Sequence, residues 1–194
     1  MQRSQQRSAD YILKPAEIKK LVWACDSPRD RCIIKLFAYT GMRREEVQQL
    51  DIQDLDFERN RIHIRAGKGD KSRVIPVAQS VMADLKFLIQ GKQKGPLFLS
   101  QKRGRIALTH FNWIVSKVGE KAGVKNPSPR RKGINPHLFR HSFSRNALNA
   151  GMDIRRVSQM LGHSSIKTTV DVYGTPSVDE TQQDYENKIE GMFG

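Results

Sequence analysis

The sequence predicts a mostly α-helical domain that contains one small antiparallel β-sheet, an α+β fold. Apolar residues recur at helical spacing through most of the 194 residues, two short segments alternate between apolar and polar residues, and glycines separate several segments. Hydrophobic residues make up 38% of the chain, which is enough to form a core. We expect residues 1–10 to form a flexible tail and residues 11–194 to form a single domain.

Three helices are expected before the first strand. Pro15 opens the first helix, because its fixed φ suits the first helical position. The second helix ends near Gly41, and the third follows at once. The apolar residues of the three helices lie at helical spacing: Ile18, Leu21, Val22 and Cys25; Ile33, Ile34, Leu36 and Phe37; Val47 and Leu50.

The predicted sheet follows these helices. Residues 62–65 alternate between apolar and polar side chains, which is typical of a strand. Residues 74–77 form a partner strand, and the glycine-containing segment 67–71 supplies the turn between the two. Residues 96–99 are a candidate third strand. The expected sheet is therefore small and antiparallel.

Helices account for most of the remaining chain. Thr109 and Asp153 are expected N-caps, and Gly151 and Gly162 are expected to separate the helices that follow. The expected helical ranges are 79–91, 109–122, 137–150, 153–161, 165–172 and 178–191.

The chain is strongly basic, with a net charge of +14 and a pI of about 10.1. A fold does not require this excess, and self-repulsion slightly disfavours a compact chain, so the charge indicates a polyanionic partner. DNA, RNA and ribosomes all fit, whereas an anionic membrane surface fits less well. The alternative is a basic surface that only keeps the protein soluble.

The sequence carries no signal for a membrane or an oxidising compartment. No apolar run approaches the roughly 20 residues that span a bilayer, and the polar N-terminus lacks a signal-peptide core. Cys25 and Cys32 lie in apolar stretches without a metal-binding pattern around them, so we expect buried, reduced thiols. We therefore expect a soluble cytoplasmic protein with no membrane partner.

His137, Arg140 and His141 are spaced i, i+3 and i+4, which places them on one face of a helix. Three interpretations compete: a solvated helix face, a zinc site and a phosphate-binding site. Zinc is disfavoured because Leu138 stands where the metalloprotease pattern has its glutamate, and Arg140 would lie beside the metal. A guanidinium flanked by imidazoles suits the oxygens of a phosphate.

Two further residues are candidates for function. His163 follows Gly162 in a tight corner, and Tyr173 lies ten residues further along the chain. Each also has a simpler interpretation, His163 as a structural histidine that makes hydrogen bonds and Tyr173 as an ordinary half-buried tyrosine.

These motifs together resemble the tyrosine site-specific recombinases of the phage integrase family. The matches occur in the family's order: Thr40-Gly41-Met42-Arg43 with Glu46 as the first signature box, residues 67–76 as the hairpin of the catalytic lysine, and His137-x-x-Arg140-His141, Leu161-Gly162-His163 and Tyr173 as the second box. The resemblance covers roughly residues 11–190 and implies the catalytic-domain fold of that family, with residues 11–194 as the catalytic domain.

The resemblance also implies catalytic roles. Tyr173 would be the nucleophile that forms a 3′-phosphotyrosyl link, and two arginines would clamp the non-bridging phosphate oxygens. Lys68 would protonate the leaving 5′ oxygen, and Lys71 is a rival for this role on the same turn. The implied catalytic residues are Arg43, Lys68, His137, Arg140, His163 and Tyr173.

Further residues would support this set. Glu46, one turn after Arg43, would orient that arginine, and His141 would also support the site. The expected DNA-binding residues are Lys71, Arg73, Arg130, Arg131 and Lys132.

The implied chemistry needs no metal or other cofactor, because two arginines supply the positive charge at the phosphate. Asp51, Asp54 and Asp56 follow the third helix and are expected to be turn and surface residues, so a two-metal nuclease is not expected. Arg44 and Phe139 depart mildly from the family's pattern.

The resemblance implies double-stranded DNA as a partner, together with recombinase protomers that act in pairs at each site and as a tetramer on two sites. The separate N-terminal DNA-binding domain usual in the family is expected to be absent. The helix 178–191 would pack on a neighbouring protomer or on its own domain. Two alternatives remain open: a type IB topoisomerase-like enzyme that relaxes DNA, and a basic DNA-binding module without catalysis.

Overall fold

The computed structural model describes residues 11–65 and 72–163. Four sequence predictions lie outside these ranges: the tail 1–10, the turn 67–71, and the helices 165–172 and 178–191. Within the two described ranges, each helix is too short or too polar to cross a membrane.

The two ranges contain seven α-helices and three short strands. The helices are α1 Pro15–Trp23, α2 Pro28–Thr40, α3 Arg44–Gln49, α4 Gln79–Ile89, α5 Leu108–Lys121, α6 Pro136–Asn149 and α7 Ile154–Leu161. The strands are β1 Leu55–Asp56, β2 Arg61–Ile64 and β3 Arg73–Pro76, and a 3-10 turn at Ile52–Asp54 precedes β1. The predicted fold class, mostly helical with a small antiparallel sheet, is confirmed.

Helix α6 and the C-terminal ends of α2 and α7 lie within one residue of the positions that the sequence predicts. The side-chain oxygen of Asn135 accepts a hydrogen bond from the amide of Leu138 at 3.0 Å, and Pro136 occupies the first position of α6. α2 ends at Gly41, with φ 63°, and α7 ends at Gly162, with φ 68°. Both glycines adopt the left-handed conformation that terminates helices.

The sheet has the order β1-β2-β3, and neighbouring strands are antiparallel. Ile62 of β2 pairs with Ile75 of β3, and both side chains are fully buried. The prediction of a third strand at 96–99 is wrong, because the third strand is β1 and residues 96–99 form only isolated bridges. Their first residue is a proline, which has no N–H for a ladder, and Phe98 is buried in the core.

The prediction that Thr109 caps α5 is also wrong. The helix begins at Leu108, and Ala107 stands at the N-cap position, so Thr109 lies inside the first turn. Ile106 is only 1% exposed. Its burial anchors the chain in the core immediately before the helix, so the helix begins earlier than a polar cap alone would predict.

Asp51 and Asp54 lie at the 3-10 turn, as the sequence predicts, but both form ion pairs instead of being free surface residues. The Arg65 guanidinium donates to both carboxylates at 2.8 Å, and the Arg105 guanidinium donates to Asp51 at 2.6 Å. Asp54 is 9% exposed. These ion pairs fix the connection between α3 and the sheet.

Helix α2 lies at the centre of the described part of the domain, and α1, α4, α5 and α6 pack around it. Its Phe37 ring contacts Phe111 of α5, with 5.9 Å between ring centroids, and Phe139 of α6, with 6.3 Å. All three rings are fully buried. The C-terminal end of α2, at Gly41, is thereby packed against α6.

Replacing Gly41 by alanine is expected to lower the free energy of unfolding by about 2–4 kcal/mol, the sum of left-handed strain and overpacking. A Cβ atom at this position would lie 2.5 Å from Cδ1 of Phe143 and 2.8 Å from Cδ2 of Leu161. Urea unfolding of the variant measures the loss.

Gly123→Ala is the matched control for this prediction. Gly123 has φ 64°, almost the same as Gly41, but a Cβ atom there would meet no other atom within 4 Å. Gly123→Ala should therefore show only the backbone cost of a left-handed alanine, about 1–2 kcal/mol. Equal losses in the two variants would contradict the close packing of Gly41 against α6 and α7.

Candidate functional site

A cavity of about 720 Å³ opens where the α2–α3 connection, α5, α6 and the C-terminal end of α7 meet. These elements lie far apart in the sequence, so only the fold brings their side chains together. Six residues that the sequence singles out line this cavity: Arg43, Arg131, His137, Arg140, His141 and His163.

Arg43 occupies the connection between α2 and α3. Gly41 ends α2, Met42 is 1% exposed, and Arg43 stands at the N-cap position of α3, so the connection is short and anchored in the core. The Arg43 amide donates to Oε2 of Glu46 at 2.7 Å, and Nη1 donates to Oε1 of Glu46 at 3.1 Å. Glu46 therefore holds both the backbone and the guanidinium of Arg43, as the sequence predicts.

Arg140 lies at the buried floor of the cavity, and its residue is 8% exposed. Nη1 donates to the carbonyl of Gly41 and Nη2 to the carbonyl of Leu161, both at 2.8 Å. These carbonyls lie at the C-terminal ends of α2 and α7, where the helix dipole favours a cation. Two helix ends thus stabilise a guanidinium that would otherwise be costly to bury.

His137 and His141 lie on the same face of α6 as Arg140, and all three line the cavity, as their spacing predicts. His137 is in the first turn of α6, where helix amides and the helix dipole favour an anion. Its side chain is exposed, whereas His141 is half-buried. The cavity therefore has one accessible imidazole at its rim.

A tight turn after α7 places His163. The His163 amide donates to the Ser158 carbonyl at 3.1 Å, and the Gly162 amide donates to the Gln159 carbonyl at 3.1 Å. With Gly162 in the left-handed conformation, this is a Schellman motif. The turn ends α7 and places His163 in the lining of the cavity.

His163 is neutral at pH 7 in the DNA-free structure. Burial lowers its pKa to about 4, and the nearby charges of Arg140, Arg43 and Arg73 contribute to the shift. An anionic phosphate bound among these cations would oppose this effect and raise the pKa again.

Folding stability is expected to depend on pH through His163. The unfolded histidine binds a proton below about pH 6.5, whereas the folded residue does so only near pH 4. Between these values the unfolded state holds more protons, so acidification through this window destabilises the folded protein. Urea unfolding of the wild type and of His163→Gln across pH 4–7.5 measures how the unfolding free energy depends on pH. If this free energy changes with pH in the same way in both proteins, the lowered pKa is contradicted.

Glu46 holds a second arginine that sequence analysis assigns to DNA. Arg73 Nη1 lies 2.8 Å from Oε1 of Glu46, and Nη2 donates to Oε2 at 2.9 Å. Burial alone would raise the pKa of Glu46, but the hydrogen bonds and charges of Arg73 and Arg43 outweigh it and hold that pKa below its usual value. With its side chain 8% exposed, Arg73 is a buried ion-pair residue in this structure, and its contact with DNA stays a prediction.

Arg44 and Asn112 are among the lining residues of the cavity that the sequence did not assign to a site. Arg44 donates through Nη1 to Oδ1 of Asn112 at 3.2 Å and through Nη2 to Glu45 at 2.8 Å. Arg44 was visible only as a departure from the family's pattern, and Asn112 lies on a helix with no motif of its own. Their approach depends on the packing of α3 against α5.

The basic loop before α6 remains a candidate DNA contact. Arg130, Arg131 and Lys132 are exposed, and Arg131 also lines the cavity. Lys68, Lys71 and Tyr173 lie outside the described residues. The structure thus brings together Arg43 and Arg140 with three histidines, and the other sequence-predicted residues stay predictions.

The chemistry of this cavity is that of an anion site. Four guanidinium groups and three imidazoles line it, and its carboxylate, Glu45, is paired with Arg44. Among the described residues there is no group of three or more His, Cys, Asp or Glu arranged to hold a metal ion. Donors of this kind stabilise the oxygens of a phosphoryl group.

Comparisons with known proteins agree with this geometry. Residues 11–179 match the model of the phage integrase family. The tyrosine recombinase XerA of Pyrococcus horikoshii is 34% identical over 168 residues, which cover 84% of this chain and 56% of that protein.

Two solved structures are similar to this fold. The crystal structure of XerA recombinase has a TM-score of 0.76 at 30% identity and covers 91% of this chain and 64% of that one. The XerH site-specific recombinase, bound to its difH substrate in a pre-cleavage complex, has a TM-score of 0.73 at 25% identity and covers 90% and 53%. The chain therefore spans less than two thirds of the length of these relatives.

The family match extends over the described residues and beyond them to Tyr173, so it includes every candidate catalytic residue. The superposed recombinases share the helical architecture and small sheet described above. The fold is that of a tyrosine recombinase catalytic domain, and the chain belongs to the phage integrase family.

Proposed function

We propose that this chain acts as the catalytic domain of a site-specific DNA recombinase, which cleaves and rejoins DNA through a 3′-phosphotyrosyl link at Tyr173. One observation carries the proposal: Arg43 before α3, His137 and Arg140 of α6, and His163 after α7 line a single cavity. A cavity with these donors and no unpaired lining carboxylate among the described residues suits one phosphate of a DNA backbone.

In the proposed cleavage step, the Tyr173 oxygen attacks the scissile phosphorus, and the bond between phosphorus and the 5′ oxygen breaks. Arg43 and Arg140 stabilise the negative charge on the non-bridging oxygens. Lys68 gives a proton to the departing 5′ oxygen. In the rejoining step, a 5′ hydroxyl attacks the phosphotyrosyl bond, and each transfer runs in reverse.

The tyrosine proton also needs an acceptor. A phenol has a pKa near 10, so the surrounding cations and a nearby base must help to ionise it. We assign the base to His137, which is exposed at the cavity rim. His163, which is half-buried beside Arg140 and Arg43, is instead proposed to make a hydrogen bond to the phosphate.

Double-stranded DNA is the proposed partner. The net charge of +14 and the exposed residues Arg130, Arg131 and Lys132 beside the cavity favour a polyanion of this kind. XerH, whose structure resembles this one, is described as bound to a difH substrate. We further propose that protomers act in pairs on each DNA site and as a tetramer on two sites, without a metal or nucleotide cofactor.

Covalent trapping tests the proposed reaction. The protein is incubated in EDTA with a pool of labelled duplexes, each nicked near a candidate cleavage position so that the released fragment diffuses away and the adduct accumulates. We expect a protein–DNA adduct that survives SDS. DNA binding without any adduct would favour a basic binding module, and loss of the adduct only when EDTA is present would indicate a metal-dependent reaction.

A second duplex with a free 5′ hydroxyl end separates recombination from topoisomerase-like relaxation. A recombinase is expected to join the trapped strand to the second duplex when both carry the target site. Relaxation of supercoiled plasmid without any joining between duplexes would instead support the type IB topoisomerase-like alternative.

A further inference from the structure

We propose that Arg73 is a positioning residue for the reaction: it holds Glu46, and through Glu46 the Arg43 guanidinium, against the turn that carries His163. The inference rests on the proposed function, because it concerns the same cavity. It gives Arg73 a task inside the protein instead of a contact with DNA.

The first support is the geometry of the Arg73–Glu46 pair. Both η nitrogens of Arg73 meet the two carboxylate oxygens of Glu46, at 2.8 and 2.9 Å, so the contact is bidentate. The side chains are only 8% and 10% exposed. The same two oxygens also accept the amide and Nη1 of Arg43, at 2.7 and 3.1 Å. One carboxylate therefore fixes the relative position of the two arginines.

The second support is the contact between Arg73 and the end of α7. Nε of Arg73 donates to the carbonyl of Met160 at 2.9 Å. A Cβ atom at Gly162 would lie 2.6 Å from Nη1 and 2.8 Å from Cζ of Arg73, so the guanidinium lies directly against the Gly162 backbone. The turn that places His163 is thereby packed on the same guanidinium that holds Glu46.

The third support is the position of Arg73 in the chain. It is the first residue of β3, pairs with Ile64 of β2, and is separated from the segment 66–71 only by Ser72. That segment contains Lys68, the proposed general acid. Arg73 thus joins three parts of the proposed active site: the start of α3, the end of α7 and the strand that follows the lysine segment.

The chemistry of this contact requires arginine. A lysine ammonium cannot meet both carboxylate oxygens and the Met160 carbonyl as a planar fork does. Without Arg73, the buried carboxylate of Glu46 would lose its stronger partner and move towards Arg43 or take up a proton. Either change would move the Arg43 guanidinium, and a displacement of about 1 Å near a reacting phosphate can lower the rate roughly 10²-fold.

Methylphosphonate substrates separate positioning of Arg43 from a general structural effect. In these duplexes a methyl group replaces one non-bridging oxygen of the scissile phosphate, so the charge that Arg43 neutralises is absent. We expect Arg73→Met to slow adduct formation roughly 10²-fold on the phosphodiester, but to lie within about threefold of the wild type on one methylphosphonate stereoisomer. Glu46→Gln should show the same pattern, and Arg73→Lys should recover little of the loss.

Arg65→Met is the matched control. Arg65 directly precedes the segment 66–71 and makes its own ion pairs, to Asp51 and Asp54; among the described residues it makes no ion pair with Glu46. It should retain the wild-type rate on both substrates. An equal loss for Arg73→Met on phosphodiester and methylphosphonate would overturn the inference, as would full recovery in Arg73→Lys. A reduced salt dependence of DNA binding in Arg73→Met would instead indicate a direct phosphate contact.

Titration of His163 by NMR tests the position of Arg73 without DNA. Arg73 faces His163 together with Arg140 and Arg43, so removing its charge in Arg73→Met should raise the pKa of His163 while Arg65→Met leaves it unchanged. An unchanged pKa in Arg73→Met would overturn the inference. This titration needs no catalysis. If the wild type forms no adduct, that result contradicts the proposed function, whereas the titration still tests whether Arg73 lies beside His163.

Discussion

Replacing Arg140 by lysine is expected to lower the rate of adduct formation by about 10²–10³-fold, the usual cost of removing one donor from an oxyanion site. Arg140 does two things that lysine cannot do together. Its η nitrogens donate to the carbonyls of Gly41 and Leu161, and its guanidinium lines the cavity. A single ammonium group cannot bridge both helix ends and also present a planar fork to a phosphate.

The same variant is expected to be less stable, because one buried carbonyl would lose its partner. Arg29→Lys is the matched control, since Arg29 lies in the first turn of α2 and pairs with Asp30, away from the cavity. Rates on the suicide duplex and urea unfolding would be measured for both variants. An Arg140→Lys rate within about fivefold of the wild type would contradict the phosphate-clamping role.

Replacing Tyr173 by phenylalanine is expected to abolish the covalent adduct completely, because the variant lacks only the oxygen that forms the bond to phosphorus. DNA affinity and unfolding free energy should remain close to those of the wild type. Gel shifts with the suicide duplex measure affinity, and SDS gels of the same samples measure the adduct.

Tyr39→Phe is the control for Tyr173→Phe. Tyr39 lies on α2 and is 39% exposed, and it does not line the cavity. Its variant should form the adduct at the wild-type rate. An adduct that persists in Tyr173→Phe would show that another side chain is the nucleophile, and it would move the active site away from the second signature box.

Much of the fold could be predicted from local patterns. Helix α6 is an example, because Asn135 caps it, Pro136 starts it, and the spacing of His137, Arg140 and His141 places them on one face. The same local reasoning found the turn at Gly162. Local rules work here because caps, left-handed glycines and helical spacing act over a few residues.

Predictions failed where tertiary contacts decide the outcome. Residues 96–99 have a strand-like composition, but burial of Phe98 and the short strand β1 determine the third position of the sheet. The buried ion pair of Arg73 was not predicted either, because in the sequence Arg73 follows a basic turn and resembles a DNA contact. Its partner Glu46 lies 27 residues away in sequence, so no local pattern indicates the buried pair.

In the candidate site, too, local patterns were predictable and tertiary contacts were not. The group on α6 follows from spacing alone, whereas its meeting with Arg43 and His163 depends on packing of α2 against α6 and of α6 against α7. The family resemblance supplied that long-range information at the level of motifs. It did not supply the contact of Arg44 with Asn112, because Arg44 is itself a departure from the family's pattern.

Mapping the adduct by mass spectrometry tests the central claim most directly. Wild-type protein trapped on the suicide duplex is digested with nuclease and protease, and the peptide that carries the remaining nucleotide is sequenced. We predict a nucleotide attached through its 3′ phosphate to the Tyr173 oxygen. Attachment to any other residue, or through a 5′ phosphate, would contradict the proposed mechanism.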